Sequence, residues 1–391
     1  MESARIDASG RALFRLSWPI FIELILQLLV GNMDQVQLSH FNETAVAAVG
    51  NANQIITVVI LLFNVITLAA MILISQYRGA QDMKSVNSIY ALSTALNLVL
   101  GTLLAVGLIC LRGALFRLMH VPHELWAEAG AYLAITAAAL SSSIFRVAGF
   151  LLMYYAFRQS FPEASASFRQ LRPFPGGLMR RLVSIGLPSG GENLSYQLSQ
   201  MSCLVFVNMM GTYVVTTRMY AVMFANCIFM LISAVSQAGQ VLIGYLVGAR
   251  NLDGAYACGM RILRGFCPVN VGISLLMYLA AGPLFGLFTQ DARVIALGKT
   301  VMLIEVFLEI GRAFNIVLVR ALQAAGDVRF PVAVGIASQW AVAVGLGYVL
   351  GVRMGLGLAG MWLAFAVDEN VRAALFFIRW KSGRWRTIKT V

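Results

Sequence analysis

The chain has 391 residues, of which 59% are hydrophobic and only 12% are charged. Soluble domains carry about a quarter charged residues, so this composition excludes a water-soluble globular protein and indicates one whose surface is solvated by lipid. The net charge of +12 is not gathered on a basic face with stacking aromatic residues, which argues against nucleic acid as a partner.

Long apolar runs follow one another along the whole chain. A helix needs about 20 residues to cross a hydrocarbon core of about 30 Å, and each run is long enough to do so. The runs fall at 13–38, 45–76, 87–111, 126–157, 180–210, 214–247, 257–288, 296–322, 331–352 and 356–379. The sequence therefore predicts an all-α polytopic membrane protein with about ten transmembrane helices.

Basic residues are distributed unequally between the two ends of these predicted helices. With the N-terminus placed in the cytoplasm, 19 of the 29 Lys and Arg residues fall on the cytoplasmic side, 5 on the opposite side and 5 within the spans. Cytoplasmic loops of membrane proteins carry such an excess of positive charge. We therefore predict that both termini are cytoplasmic, and that the protein is a multi-pass protein of the plasma membrane, in a bacterium the inner membrane.

Two prolines mark the start of an internal repeat. Pro19–Glu23 is similar to Pro188–Glu192, and positions 19 and 188 differ by 169. The same offset relates Ile74–Ala80 to Ile243–Ala249. One offset that holds over about a hundred residues indicates two copies of a single helical unit.

The two copies differ in length. Their similar endings, at Arg146–Phe150 and Arg372–Phe376, lie 226 positions apart, which is 57 more than the offset of 169. Because 57 residues amount to about two membrane spans, the first copy is predicted to lack about two helices that the second copy has. The predicted organisation is an incomplete N-terminal lobe at 1–160, a cytoplasmic linker at 161–179 and a six-helix lobe at 180–391.

Several of these segments carry recognisable motifs. They are Pro19 followed by Gly31–Asp34, then Ala47–Ile55, the paired turns Gln76–Asp82 and Gly244–Arg250, and Arg320–Pro331. In order and spacing they resemble the multidrug and toxic compound extrusion (MATE) transporters. The resemblance implies two related helical bundles around a central cleft, with about ten helices here instead of the family's twelve. It also implies exchange of H⁺ or Na⁺ for small organic, often cationic, compounds.

Acidic residues within the predicted spans are candidates for cation binding. An ionised side chain at the centre of a span costs at least ~2.5–3.5 kcal/mol, so each needs a function or a partner. The candidates are Asp34, Glu23, Glu192, Glu305 and Glu309. The resemblance implies that Asp34 belongs to the cation site of the N-terminal lobe and that Glu192 matches an acidic position of the seventh helix. Two alternatives stay open. In one, Asp34 lies near the outer end of its helix and is solvated. In the other, Glu23 and Glu192 take part in structural hydrogen bonds that hold the proline kinks.

Two charge clusters are predicted from helical spacing. Glu305, Glu309 and Arg312 share one helix face; pairing of Glu309 with Arg312 is expected to leave Glu305 without a local partner. Asp368, Glu369 and Arg372 form a similar cluster in which local pairing is expected.

Other polar residues of the spans are candidates for lining the substrate cleft, and interhelical hydrogen bonding is the alternative for them. They are Gln27, Asn51, Asn53, Gln54, Asn64, Tyr196, Gln197 and Arg218. Arg218 requires an acidic partner from another helix, and Glu192 and Glu305 are the two expected choices.

No phosphate-binding glycine loop, nucleophile elbow or zincin motif occurs in the sequence. The chain is therefore predicted to be a secondary antiporter rather than an enzyme or an ATP-driven pump. It is expected to be a monomer without cofactor, with H⁺ or Na⁺ as the coupling ion and no metal beyond Na⁺, and with the small organic substrate and the lipid bilayer as its partners. Two alternatives remain: a lipid-linked oligosaccharide flippase of similar architecture, and a truncated membrane protein that does not transport.

Overall fold

The computed structural model describes residues 10–39, 43–118 and 174–388, and the regular structure in these ranges is entirely helical. The long helices are α1 (Gly10–Ser39), α2 (Glu43–Gly79), α3 (Met83–Leu118), α4 (Gly176–Asn208), α5 (Thr212–Gly248), α6 (Leu252–Leu279), α8 (Ala292–Ala324) and α10 (Gly357–Lys381). The shorter ones are α7 (Ala281–Gly286) and α9 (Arg329–Ser338), and α9 continues as π-helix through Gln339–Leu346 and Tyr348–Arg353.

Helices occupy the predicted membrane spans wherever the structure describes the chain. The predicted span at 126–157 lies outside the described residues. Five helical segments are long and apolar enough to cross a membrane, namely Leu62–Gly79, Met83–Leu104, Thr212–Gly248, Leu252–Leu279 and Arg329–Arg353. The expected all-α character is thus confirmed for the described part of the chain.

Two helices of the structure follow the offset of the internal repeat. Helices α2 and α5 each have 37 residues, and their first residues, 43 and 212, differ by the same offset of 169. The turns that follow them share an unusual feature, because Gln81 and Arg250 both adopt positive φ angles of 61° and 58°, a conformation that is uncommon outside glycine.

The helix after each of these turns is also capped in the same way. Asp82 accepts a hydrogen bond from the backbone N–H of Ser85 at 3.0 Å, and Asn251 accepts one from the backbone N–H of Gly254 at 2.9 Å. Such side chains satisfy N–H groups that a helix leaves unpaired in its first turn. The duplication therefore extends from the helix lengths to the chemistry of the turns.

The described residues group into two compact units. One comprises the described parts of Met1–Ile25, Arg78–Ala80 and Leu187–Val391, and the other those of Leu26–Tyr77 and Gln81–Gly186. The predicted lobe boundaries at 1–160 and 180–391 stay predictions.

Helix α8 is the central element of the larger unit. It packs against α5, α6 and α10 and buries residues along most of its length. One apolar core lies at the cytoplasmic end predicted from charge, around Trp380 and Trp385, whose rings stack at 4.3 Å. The other core surrounds Phe285 and Trp362. Glu305, Glu309 and Arg312 lie between the ends of α8 and are bonded by side chains of α6 and α10.

Candidate functional site

A cavity of about 450 Å³ lies within the larger unit, among α4, α5, α8, the π-helical continuation of α9, and α10. Seven charged residues line it, and all seven are among the residues singled out from the sequence: Glu192, Arg218, Glu305, Arg312, Asp368, Glu369 and Arg372. Residues almost two hundred positions apart are thus brought to one site.

Arg312 is the centre of the first ion-pair cluster, on α8. Its Nη1 lies 2.5 Å from Glu309 Oε1 and 2.9 Å from Glu305 Oε1. The expectation that Glu305 has no local partner is therefore wrong. Residues seven apart on a helix lie two turns away on the same face, and the long arginine side chain reaches across both turns. Glu305 also accepts a hydrogen bond from Trp362 Nε1 at 2.7 Å.

Glu309 is fully buried, and both of its carboxylate oxygens are bonded. Oε1 contacts Arg312, and Oε2 accepts a hydrogen bond from Asn270 Nδ2 at 2.7 Å. Asn270, on α6, is itself 0% exposed. Sequence reasoning missed this residue, although an amide that interrupts an apolar helix between Val269 and Val271 is a signal of such a partner.

Arg372 is the centre of the second cluster, on α10. Its Nη2 lies 2.5 Å from Asp368 Oδ2 and 3.0 Å from Glu369 Oε1, which confirms the predicted local pairing. Ser338 donates a hydrogen bond to Asp368, and Asn315 Nδ2 donates one to Glu369 at 2.6 Å.

Glu369 connects the two clusters. Its Oε1 lies 3.8 Å from Arg312 Nε and also pairs with Arg372. The connection depends on close packing of α8 on α10, because a Cβ atom at Gly311 would lie 2.5 Å from the backbone nitrogen of Asn370. Only glycine allows the two helices to approach this closely.

Glu192 lies on the cavity wall, where the charge of Arg372 from the second cluster acts on it without direct contact. Within the described residues it forms no ion pair or hydrogen bond, and its Oε1 lies against Gly335 of α9, where a Cβ would be 2.7 Å away. Together with the two clusters it gives five carboxylates at the site, four in the cavity lining and Glu309 behind it, against the three guanidinium groups of Arg218, Arg312 and Arg372. If all are ionised, negative charge is in excess by two.

Arg218, on α5, does not pair with either of its expected partners. It makes no ion pair within the described part of the chain, and its Nε is buried without a hydrogen-bond partner there. Glu305 is occupied by Arg312 and Trp362 instead. The assignment of Glu192 or Glu305 as the partner of Arg218 is therefore wrong in this structure.

The remaining predicted residues are dispersed. Tyr196 lines the cavity, whereas Gln197, Asn64 and Glu23 are exposed on α4, α2 and α1. Asp34 and Gln27 belong to α1, and Asn51, Asn53 and Gln54 to α2, but their side chains lie outside what the structure describes, so their assigned roles stay predictions. Three histidines, His40, His120 and His123, also lie outside it.

The cavity has further polar lining that the sequence did not single out. Asn193, Ser199, Gln200, Asn226, Asn315 and Gln339 contribute to it. Gln339 is the first residue of the π-helical segment, and π-helical turns frequently occur at functional sites. Over the described residues, no group of His, Cys, Asp and Glu has the arrangement of a metal centre.

Comparison with a family model accounts for both copies of the repeat. The model named MatE matches residues 19–153 and again residues 188–349. The two matches begin at Pro19 and Pro188, the prolines that mark the start of the two copies in the sequence.

Relatives match the chain over most of its length. The "Uncharacterized transporter YisQ" of Bacillus subtilis (strain 168) is 30% identical over 431 positions, which cover 96% of this chain and 94% of the relative. The "Probable multidrug resistance protein NorM" of Thermotoga maritima is 24% identical over 441 positions, covering 96% and 93%. This chain has only 391 residues. At least 40 of the 431 positions in its alignment with YisQ therefore have no residue in this chain.

Solved structures have the same fold. A Vibrio cholerae MATE transporter, VcmN in its bent form, gives a TM-score of 0.85 at 17% identity, with 95% of each chain covered. A MOP superfamily transporter from Pyrococcus furiosus also gives 0.85 at 17% identity, with 97% of this chain and 96% of the other covered. With its two matched copies, its full-length relative and its helical fold, this chain is a multi-pass membrane protein that belongs to the MatE family of transporters.

Proposed function

We propose that the protein is a secondary antiporter that exports small organic compounds in exchange for H⁺ or Na⁺. The observation that carries this proposal is the excess of carboxylates over guanidinium groups at one cavity of the larger unit, four to three in its lining, with Glu309 behind Arg312 as a fifth carboxylate. A site with surplus negative charge and restricted access to water favours a cation, because an uncompensated buried charge is costly.

Cation binding at this cavity is the step that would drive exchange. A cation that binds one of two conformations more tightly shifts the equilibrium toward that conformation. Glu192 is the proposed entry point, since its carboxylate forms no ion pair or hydrogen bond among the described residues while the other four pair with arginine. The paired clusters behind it would then reorganise as the cation enters or leaves. In a duplicated transporter the two helical bundles move relative to the binding site to give alternating access.

The names of the relatives support the class of substrate. The Thermotoga maritima relative is named a multidrug resistance protein, and YisQ is named a transporter. We extend the small organic substrate to this chain on that basis, with the H⁺ or Na⁺ gradient as the energy source, no further cofactor and a monomer in the bacterial inner membrane.

The proposed topology has ten transmembrane helices and two cytoplasmic termini. The alignment with YisQ supports the shorter form, because it leaves at least 40 positions without a residue in this chain, and about 20 residues make one span. Charge asymmetry between the loops supports the orientation. The cation site proposed above lies in the second copy of the repeat, which retains its complement of helices in this scheme.

Ethidium efflux from cells that lack their own pumps tests the function. The wild type is expected to lower the retained dye, and Glu192→Gln to retain as much dye as cells without the protein. Asp253→Asn is the matched control, since this carboxylate is 92% exposed and outside the cavity. Asp34→Asn, measured alongside, tests the first copy of the repeat separately. Efflux unchanged by Glu192→Gln would refute this residue as the coupling site, and no efflux from the well-expressed wild type would favour the non-transporting alternative.

A further inference from the structure

Arg218 differs from the other two arginines of the cavity. Arg312 and Arg372 each pair with at least two carboxylates, whereas Arg218 pairs with none in the described chain. Its Nε is buried without a hydrogen-bond partner, and the ionisable side chains that interact with it are the Cys203 thiol and the Tyr196 hydroxyl. Both are uncharged at neutral pH, so neither neutralises the guanidinium.

An arginine without a counter-ion is unfavourable within a membrane-spanning helix. The structure keeps such a residue on α5, at the wall of a cavity large enough for a small molecule. The guanidinium is a planar fork of N–H donors that matches both oxygens of a carboxylate. The missing partner of Arg218 is therefore expected to be an anionic group that enters the cavity from outside the protein.

The same cavity offers complementary groups for a positive charge. Glu192 has no hydrogen-bond partner within the described residues, and neither does the buried Oε1 of Gln339. Glu192 and Arg218 line one cavity but form no ion pair with each other, so a guest with two opposite charges can engage both. A molecule that carries only a positive charge would leave Arg218 uncompensated.

We propose that Arg218 binds the carboxylate of a transported compound that also carries a positive charge, so that the preferred substrates are zwitterionic. This inference rests on the proposed function, because it specifies the substrate of the same cavity. Glu192 and the Gln339 oxygen face the cationic part of the compound, and Arg218 selects for its anionic part.

Two dyes that differ by one methyl group provide the test. Rhodamine 110 has a free carboxyl group beside its cationic ring system, and rhodamine 123 is its methyl ester. Binding to the purified full chain is measured by fluorescence anisotropy at neutral pH. The wild type is expected to bind the acid about tenfold more tightly than the ester, as one charge-assisted bidentate contact allows. Arg218→Gln is expected to remove that difference and to bind the ester as the wild type does.

Retained binding of the ester shows that the variant is folded. Arg293→Gln is the matched control, because this arginine is 72% exposed and lies outside the cavity, and it should keep the wild-type preference for the acid. Equal affinity of the wild type for both dyes, binding of neither, or an equal loss of both in Arg218→Gln would overturn the proposal.

Efflux of the same two dyes from cells separates this inference from the function on which it rests. Preferential efflux of the acid that Arg218→Gln abolishes supports both. If purified protein prefers the acid through Arg218 but cells export neither dye, the binding inference stands and the antiporter assignment fails. If cells export both dyes at rates that Arg218→Gln does not change, the antiporter assignment stands and the role of Arg218 is refuted.

Discussion

At the scale of single residues, the site is a network in which nearly every buried charge has more than one partner. Glu309 is 0% exposed and Glu305 is 1% exposed, yet each accepts bonds on both carboxylate oxygens from Arg312 and from an uncharged donor, Asn270 or Trp362. Buried charges are tolerated when they are paired and their remaining lone pairs are bonded. The network is therefore sensitive to loss of a single member.

Arg312→Met should destabilise the protein strongly. It leaves Glu305 and Glu309 buried without their shared counter-ion, and removal of one partner from a buried ion pair costs about 3–5 kcal/mol. Thermal unfolding of the purified protein in detergent measures the effect. Glu309→Gln is the comparison, because the amide keeps the shape of the carboxylate, its oxygen still accepts one of the two hydrogen bonds and Arg312 keeps Glu305 as a counter-ion, so its loss of stability should be the smaller. A loss in Arg312→Met no larger than in Glu309→Gln would contradict the network's dependence on Arg312.

The charged residues of this network could be found from the sequence, but not their interhelical partners. An ionised group in an apolar span stands out by its cost, which identified Glu305, Glu309 and Arg312. Their spacing also predicts a shared face. Asn270, on α6, carries no charge, and its contact with Glu309 depends on how α6 packs on α8. Such a contact is set by the tertiary structure rather than by a local pattern.

At the scale of helices, the close approach of α8 and α10 holds the two ion-pair clusters together. Gly311 provides that approach, since any side chain there would meet the backbone of Glu369 and Asn370. The 3.8 Å contact between Arg312 and Glu369 crosses the same interface. A glycine inside a helix normally weakens it, so its presence here is explained by packing.

Gly311→Ala should lower stability by about 1–3 kcal/mol, as expected for overpacking of a filled interface. It should also reduce efflux, because separation of α8 from α10 weakens the link between the clusters. Gly272→Ala, on α6, is the matched control, since no atom lies within 4 Å of the Cβ that it adds; alanine there should be neutral or slightly stabilising. Thermal unfolding of both variants in the same detergent decides the matter, and equal melting temperatures would show that the interface has room for a methyl group.

Some features of the repeated helices could be predicted from the sequence and others could not. The offset of 169 predicted equivalent helices, and α2 and α5 have equal lengths at that offset. The same offset relates Gln81 to Arg250. Their positive φ angles could not be predicted from residue type, because neither residue is glycine. The π-helical stretch from Gln339 was likewise not predicted, since its sequence is an apolar run that fits an ordinary α-helix equally well.

At the scale of the whole molecule, duplication and charge together define a testable topology. A chain made of two copies keeps both termini on one side of the membrane if the helices missing from one copy form a pair. The basic residues support this arrangement, because Arg250 and Arg329 lie at ends predicted to be cytoplasmic, whereas Arg293 and Lys299 lie at the opposite end of α8. Orientation follows from the excess of Lys and Arg in cytoplasmic loops.

Reporter fusions test this topology directly. Alkaline phosphatase is active only outside the cytoplasm, and green fluorescent protein exported in unfolded form is fluorescent only inside it. Fusions after Thr289, between α7 and α8, should give phosphatase activity and no fluorescence. Fusions after Arg250, between α5 and α6, and after Val391 should give the reverse result.

Opposite signals at Arg250 and Thr289 are required because α6 alone crosses the membrane between them. Fluorescence at all three positions would place α6 outside the set of spanning helices, and a phosphatase signal at Val391 would show that the number of spans after α5 is not the one proposed.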